Sequence, residues 1–165
     1  MNYELKKGLV LSERRESKGF TLIELLVVIG ILAVLLAITL IAINPARQFS
    51  QANNTTRQSD VTTILNAVTQ YATDNKGTLP AGIDTTVRAI SNDETIVNRV
   101  DLCSSVVTQY IAALPVDPLT ANGTAVTDCI ATYNTNYTIV QSATNNRLTV
   151  TAPAAELGVT VAVTR

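Results

Sequence analysis

The chain has no histidine and no tryptophan among its 165 residues. The missing histidine removes the commonest general base near neutral pH and the commonest metal ligand. Two cysteines without a histidine are too few for a structural zinc site. Aromatic residues make up 4%, too few for a stacked conduit for electrons. Tyr71, Tyr110, Tyr133 and Tyr137 read as packing residues rather than a recognition platform. Charge is also sparse, 15% of residues with a formal net of −1. No Ser/His/Asp or Cys/His arrangement stands out, no glycine-rich phosphate loop, and no internal repeat of about 20–50 residues. We therefore expect neither an enzyme nor a bound cofactor.

What the chain does have is one long apolar run. From Phe20 to Ile43 there are 24 residues, with Glu24 the only charge. As a helix rising about 1.5 Å per residue, the run is roughly 36 Å long, enough to cross a hydrocarbon core of about 30 Å with some tilt. A carboxylate in such a span costs about 2.5–3.5 kcal/mol at mid-depth and less near the end, so Glu24 needs a partner or a place among the headgroups. Residues 1–19 hold five cations (Lys6, Lys7, Arg14, Arg15, Lys18) against three acids. Positive charge beside a span keeps that side in the cytoplasm, so the chain from Asn44 onward is expected outside. A secretory signal peptide has a shorter apolar region followed by a small-residue cleavage site. The end of this run, Ile41-Ala42-Ile43-Asn44-Pro45, makes a poor one. Cleavage before the run, which keeps the helix, is the better reading.

The string Lys18-Gly19-Phe20-Thr21-Leu22-Ile23-Glu24-Leu25-Leu26 resembles the class III leader of type IV pilins and of the pseudopilins of type II secretion. The resemblance implies that a prepilin peptidase cuts between Gly19 and Phe20, and that the new amino group of Phe20 is N-methylated. It places Glu24 as the assembly glutamate, the fifth residue of the mature chain. The expected partners are further copies of the chain in a helical filament, the peptidase, an assembly ATPase and an inner-membrane platform protein. The physics agrees: the ammonium of Phe20 in one subunit can pair with Glu24 of a neighbour, and an unpaired buried charge penalises other staggers. The plain alternative for Glu24 is a position among lipid headgroups.

After loss of the first 19 residues, seven Lys/Arg face ten Asp/Glu, a formal net charge of −3. That argues against nucleic acid as a partner, because such binding rests on cations neutralising phosphates. Cys103 and Cys129 both lie in the external part, where an oxidising compartment favours a disulfide. Closing that loop is worth about 3–3.5 kcal/mol on the chain-entropy argument. Two free buried thiols are the alternative. The pair also resembles the C-terminal disulfide loop of many pilins.

Pro45 predicts a kink or break, since the residue before a proline disfavours the helical region. Beyond it, Ala46–Asn75 reads as amphipathic helix, with Val61, Ile64, Leu65, Val68, Tyr71 and Ala72 on one stripe. Gln48–Asp60 is polar and rich in weak helix formers, so that part is expected to be mobile, or to melt on assembly. Asn75-Lys76-Gly77 reads as its cap, with Pro80 beyond. Residues 78–102 show little periodicity and read as a connector. A short helix is expected from Ser104 or Ser105 to Leu114, with Val106, Val107, Tyr110, Ile111 and Leu114 on one face. Leu114-Pro115-Val116-Asp117-Pro118 ends it. That LPxDP string resembles the major pseudopilin of type II secretion, in which a nearby loop binds calcium. Here Asp117 and Asp128 are the only acids between Leu114 and Cys129. A calcium ion wants six to eight oxygens, so an ordinary turn is the reading. The tail alternates in three runs, 137–142, 147–152 and 159–164, separated by turn residues, which predicts about three antiparallel strands needing a helical cover. Asn53, Asn54, Asn122 and Asn136 each open an Asn-x-Thr string, but in so Thr-rich a chain they arise by chance and no glycosylation is assigned.

The expected architecture is α+β. Residues 1–19 are a cytoplasmic leader, 20–43 a transmembrane and filament-core helix, 44–77 an amphipathic helix half, and 78–165 a globular head ending in the sheet. The expected function is a filament subunit, membrane-anchored until it is processed and extracytoplasmic or at the cell surface after assembly. A pseudopilin of a secretion system and a single-pass anchored binding domain are the alternatives. Adhesion, motility and DNA uptake are not separable at this level.

Overall fold

A computed structural model describes residues 19–165. Residues 1–18, all but the last of the expected leader 1–19, and with them the expectation of its cytoplasmic placement, lie outside the described residues. The chain divides into two units, residues 1–43 and 44–165.

In the first unit, helix α1 spans Leu22–Ile43. Glu24 apart, it is apolar all round, and among the described residues none of it is buried. A helix of that kind is stable only when a membrane or other helices surround it. Its length and composition suffice to cross a membrane.

In the second unit, helix α2 spans Pro45–Asp74. The break expected at Pro45 is there, and Pro45 stands in the first turn of a new helix. Asn44 caps it from a left-handed conformation (φ 46°), and its side chain accepts from the Arg47 N–H. Proline suits that place, because its missing N–H would have no partner in the first turn anyway. The helix ends where expected: the Asn75 N–H and side-chain amide both donate to the Tyr71 carbonyl, and Gly77 takes a left-handed φ of 87°. The polar stretch Gln48–Asp60 is uninterrupted helix, against the expectation from propensity. Tertiary contacts described below supply what local preference lacks.

The sheet has five strands, in the order β2-β1-β3-β4-β5. They are β1 Arg88–Ser91, β2 Arg99–Val100, β3 Asn134–Gln141, β4 Leu148–Ala152 and β5 Val161–Thr164. β3, β4 and β5 are the three expected strands, joined antiparallel. β1 and β2 correct the reading of 78–102 as a mere connector. They pair parallel with each other, and β1 pairs antiparallel with β3 across a register shift. Each is too short to show a period; Ile90, Ser91 and Val100 are what they bury. α2 covers one face of β4 and β5. The core joins Val61, Ile64, Leu65 and Val68 of α2 to Tyr137, Ile139, Val150 and Val161 of the sheet.

The helix expected over 104–114 is a correction. Helix α3 is one turn, Cys103–Val106. Val107 is extended and Thr108 turns left-handed (φ 71°). Two adjacent β-branched valines are poor helix formers. Burying Val107 and Leu114 from the irregular stretch after α3 wins over continuing the helix.

Candidate functional site

Three groups of polar or reactive side chains stand out: the start of α1, the disulfide loop and a buried ionic cluster. At the start of α1, Gly19 and Phe20 are exposed, and among the described residues no heavy atom within 4 Å would meet a Cβ on Gly19. Thr21 precedes the first helical residue. The Glu24 Oε2 accepts from the Thr21 N–H at 2.8 Å and from the Thr21 hydroxyl at 2.7 Å, while the Glu24 N–H donates back to that hydroxyl oxygen at 3.3 Å. This is a reciprocal capping box, Thr-x-x-Glu, which satisfies two donors that a helix start leaves without partners. The Thr21–Glu24 spacing in the sequence is its signal. Both intrachain bonds fall on Oε2, so among the described residues Oε1 accepts none. The carboxylate is therefore held at the helix N-terminus, where the dipole favours negative charge, with one oxygen open to a donor.

Cys103 and Cys129 form a disulfide, with Cα atoms 5.3 Å apart. The bond decides between the two alternatives for these residues. It ties α3 to the end of the loop that carries Asp117. The Cys103 N–H donates to Asp101 Oδ1 and to the Tyr133 hydroxyl oxygen, and the Tyr133 hydroxyl donates to Asp101 at 2.7 Å. Burial, and then the Asp101 partner, push the Tyr133 hydroxyl pKa up.

The third feature was not visible as a site in the sequence. Arg57, in the polar half of α2, is fully buried. Its Nε donates to Asp117 Oδ2 at 2.6 Å and its Nη2 to Asp117 Oδ1 at 3.2 Å, a two-point pairing with a carboxylate that is itself fully buried. Its Nη1 donates to Glu156 Oε2 at 2.8 Å and to the Asn54 side-chain oxygen at 3.0 Å. Glu156 sits in the turn between β4 and β5. Its carboxylate also accepts from Ser50 and Asn53, its backbone carbonyl from the Asn54 amide, and its N–H donates to the Asn54 side chain. These bonds pin the polar half of α2 to two distant loops, which is why it stays helical. Arg57 and the two residues Asn53 and Asn54, read by propensity as helix-weakening, are the residues that hold it.

The charge of Arg57 is locked in by hydrogen bonding to Asp117 and then Glu156, which raise its pKa against the opposing cost of burial. The Arg57, Asn53 and Ser50 donors lower the Glu156 pKa to about 2. One turn on, the Tyr137 hydroxyl donates to Asp60 Oδ2 at 2.7 Å, and burial raises the pKa of both groups.

Asp117 of the LPxDP string therefore has both oxygens on Arg57, one of them also accepting the Leu119 N–H. Asp128 accepts from the Ile130 N–H within its own turn. No group of three or more Asp, Glu, Cys or His is placed to hold a metal among the described residues. Tyr71 and Tyr110 pack edge to face at 5.7 Å.

The family described as prokaryotic N-terminal methylation motif matches residues 14–40 of the chain. A motif of this kind marks the class III signal peptide of type IV pilins and pseudopilins, and the match takes in Gly19, Phe20, Glu24 and most of α1. No curated protein and no solved structure matches the chain.

Proposed function

We propose that this precursor, which carries the prepilin-type methylation motif on an apolar helix ahead of an α+β unit, is the structural subunit of a type IV pilus-like surface filament. The motif supports a pilin-like or pseudopilin precursor, a structural protein, anchored in the membrane before processing and assembling into a filament after it. The observation that carries the reading is the junction Gly19-Phe20 followed by the Thr21–Glu24 cap on a helix with no buried residue. Prepilin peptidase cuts after Gly19 and frees the Phe20 amino group, which is then N-methylated. The ammonium of one subunit meets the open oxygen of Glu24 in the next, in an environment where leaving either charge unpaired is costly. Packing of α1 against its copies buries the apolar surface, and the ion pair selects the stagger. An assembly ATPase and a platform protein supply the work and the track.

The LPxDP string at Leu114–Pro118 favours a second reading, a major-type pseudopilin building a short periplasmic fibre. Long fibres on the cell surface separate the two by electron microscopy. The direct test of the proposal is the mass of the N-terminal peptide. The expected mature chain begins with N-methyl-Phe20, and Gly19→Ser retains the leader. A native chain that still begins with Met1 overturns the reading.

A further inference from the structure

The two edges of the sheet are built differently. β2 is two residues long, and its Arg99 places a charge on the edge. Short strands and edge charges prevent a sheet from recruiting another chain. β5 (Val161–Thr164), at the opposite edge, is four residues long and carries no charge of its own, with Arg165 following it. Val159-Thr160-Val161-Ala162-Val163-Thr164 contains no charge, no proline and no glycine, and its ladder with β4 has no bulge. A short run of that composition on an open edge is the signature of a strand that pairs with another.

The register states which backbone groups are available. Leu148 and Arg165 exchange both of their hydrogen bonds, at 2.7 and 2.9 Å. In an antiparallel ladder such pairs alternate, so Val163 and Val161 also face β4. The N–H and C=O of Ala162 and Thr164 therefore point away from the sheet, and the same alternation carried one residue beyond the ladder puts those of Thr160 on that side. Ala162 and Thr164 are exposed.

We propose that the β5 edge is a pairing site for β5 of a second copy of this chain, antiparallel and centred on Ala162. The segment is complementary to itself. In that register Ala162 faces Ala162 of the second copy, and Thr160 faces Thr164, each a pair that exchanges two backbone bonds. Val161 lies opposite Val163, which continues the apolar face across the seam, and threonine lies opposite threonine on the other face. No charge meets a like charge within the run. The helices also fit. α2 lies over β4 and β5, and strands are spaced about 4.8 Å apart. Two α2 helices related by this two-fold axis stand about 10 Å apart, at the 8–10 Å of packed helices rather than in collision. A two-fold contact closes on itself and does not propagate a fibre. It is therefore a contact separate from the α1 assembly, joining two precursors or two filaments.

The test is cysteine trapping in the full-length chain, in the membranes of cells that make it. Paired residues that exchange two backbone bonds have Cα atoms about 5.5 Å apart, within disulfide range. Ala162→Cys is expected to give a disulfide-linked dimer on a non-reducing gel under mild oxidation. Thr151→Cys, on β4 away from the edge, is expected to stay monomeric. Thr160→Cys and Thr164→Cys made together are expected to cross-link to each other several-fold more than either alone. Adding Ala162→Pro, which removes an outward N–H and leaves the β4 ladder intact, abolishes that cross-link. Peptide mapping of Cys103–Cys129 confirms that each variant is folded. The proposal is overturned if folded Ala162→Cys remains monomeric, or if Thr151→Cys cross-links equally well. The dimer is expected in Glu24→Leu as well, so its absence and the absence of filaments are separate outcomes.

Discussion

Arg57 shows how much one residue can carry in a chain with few charges. Its guanidinium sits on two carboxylates that come from loops 60 and 99 residues away in sequence. Removing one member of a buried pair leaves the other uncompensated, at a cost of about 3–5 kcal/mol. Arg57→Ala is expected to lose that much in a denaturant titration, because Asp117 remains fully buried without its partner. Arg57→Met should lose less than Arg57→Ala, because it keeps the packing of the stem. Equal midpoints for wild type and Arg57→Ala would contradict the account. Glu156 gives the cluster a pH dependence. Its folded pKa of about 2 lies below the ordinary carboxylate value, because Arg57 first, then Asn53 and Ser50, hydrogen-bond the charged form. Its contribution is therefore complete above about pH 4.5 and is lost as pH falls through about 2. In Glu156→Gln the slope of stability against pH over that window should flatten, as measured by thermal melts at successive pH values.

At the scale of elements, helix α2 and the disulfide loop depend on each other. The loop closed by Cys103 and Cys129 carries Asp117, which holds Arg57. Reduction of a bond with a sequence separation of 26 should lower stability by about 3.5 kcal/mol on the chain-entropy argument. The loop keeps other ties, the Leu114–Val126 bridge and the Asp117 N–H to the Thr135 carbonyl. Reduction is therefore expected to lower Tm while leaving the far-ultraviolet circular dichroism at 25 °C unchanged. Loss of helical signal on reduction alone would mean that the disulfide, not the ionic cluster, holds the polar half of α2.

For the whole molecule, the decisive property is that among the described residues no side chain of α1 is buried. An apolar helix of 22 residues must be surrounded by lipid or by other helices. On the proposed function, exchange of one for the other is the step that turns a membrane precursor into a fibre. Glu24→Leu is expected to leave the chain folded and membrane-bound, because the disulfide and the sheet do not involve it. Filament yield, counted by electron microscopy of sheared cells, is expected to fall to background. Loss of the capping box alone costs about 1 kcal/mol of helix stability, so Glu24→Gln, which keeps a side-chain acceptor, separates capping from charge. Filaments from Glu24→Gln at the normal yield would remove the ion-pair argument.

The apolar run, its flanking break and the leader motif were legible in the sequence because each is local. Composition decides whether a helix stays in water. Asn44-Pro45 decides where one helix stops and the next starts, and the methylation motif is a short string. The apolar stripe of α2 and the strands β3 to β5 were legible for a related reason, a period of about 3.6 or of 2 repeated long enough to count. What the sequence left open depends on residues far apart in the chain. β1 and β2 are too short to carry a period and exist because β3 offers them a ladder. The helix expected after Cys103 stops after one turn because its valines are needed in the core. Arg57, Asp117 and Glu156 look like three surface charges until the fold removes them from water together. Once they are buried, only mutual pairing makes their charge tolerable, and that pairing gives the polar half of α2 its place.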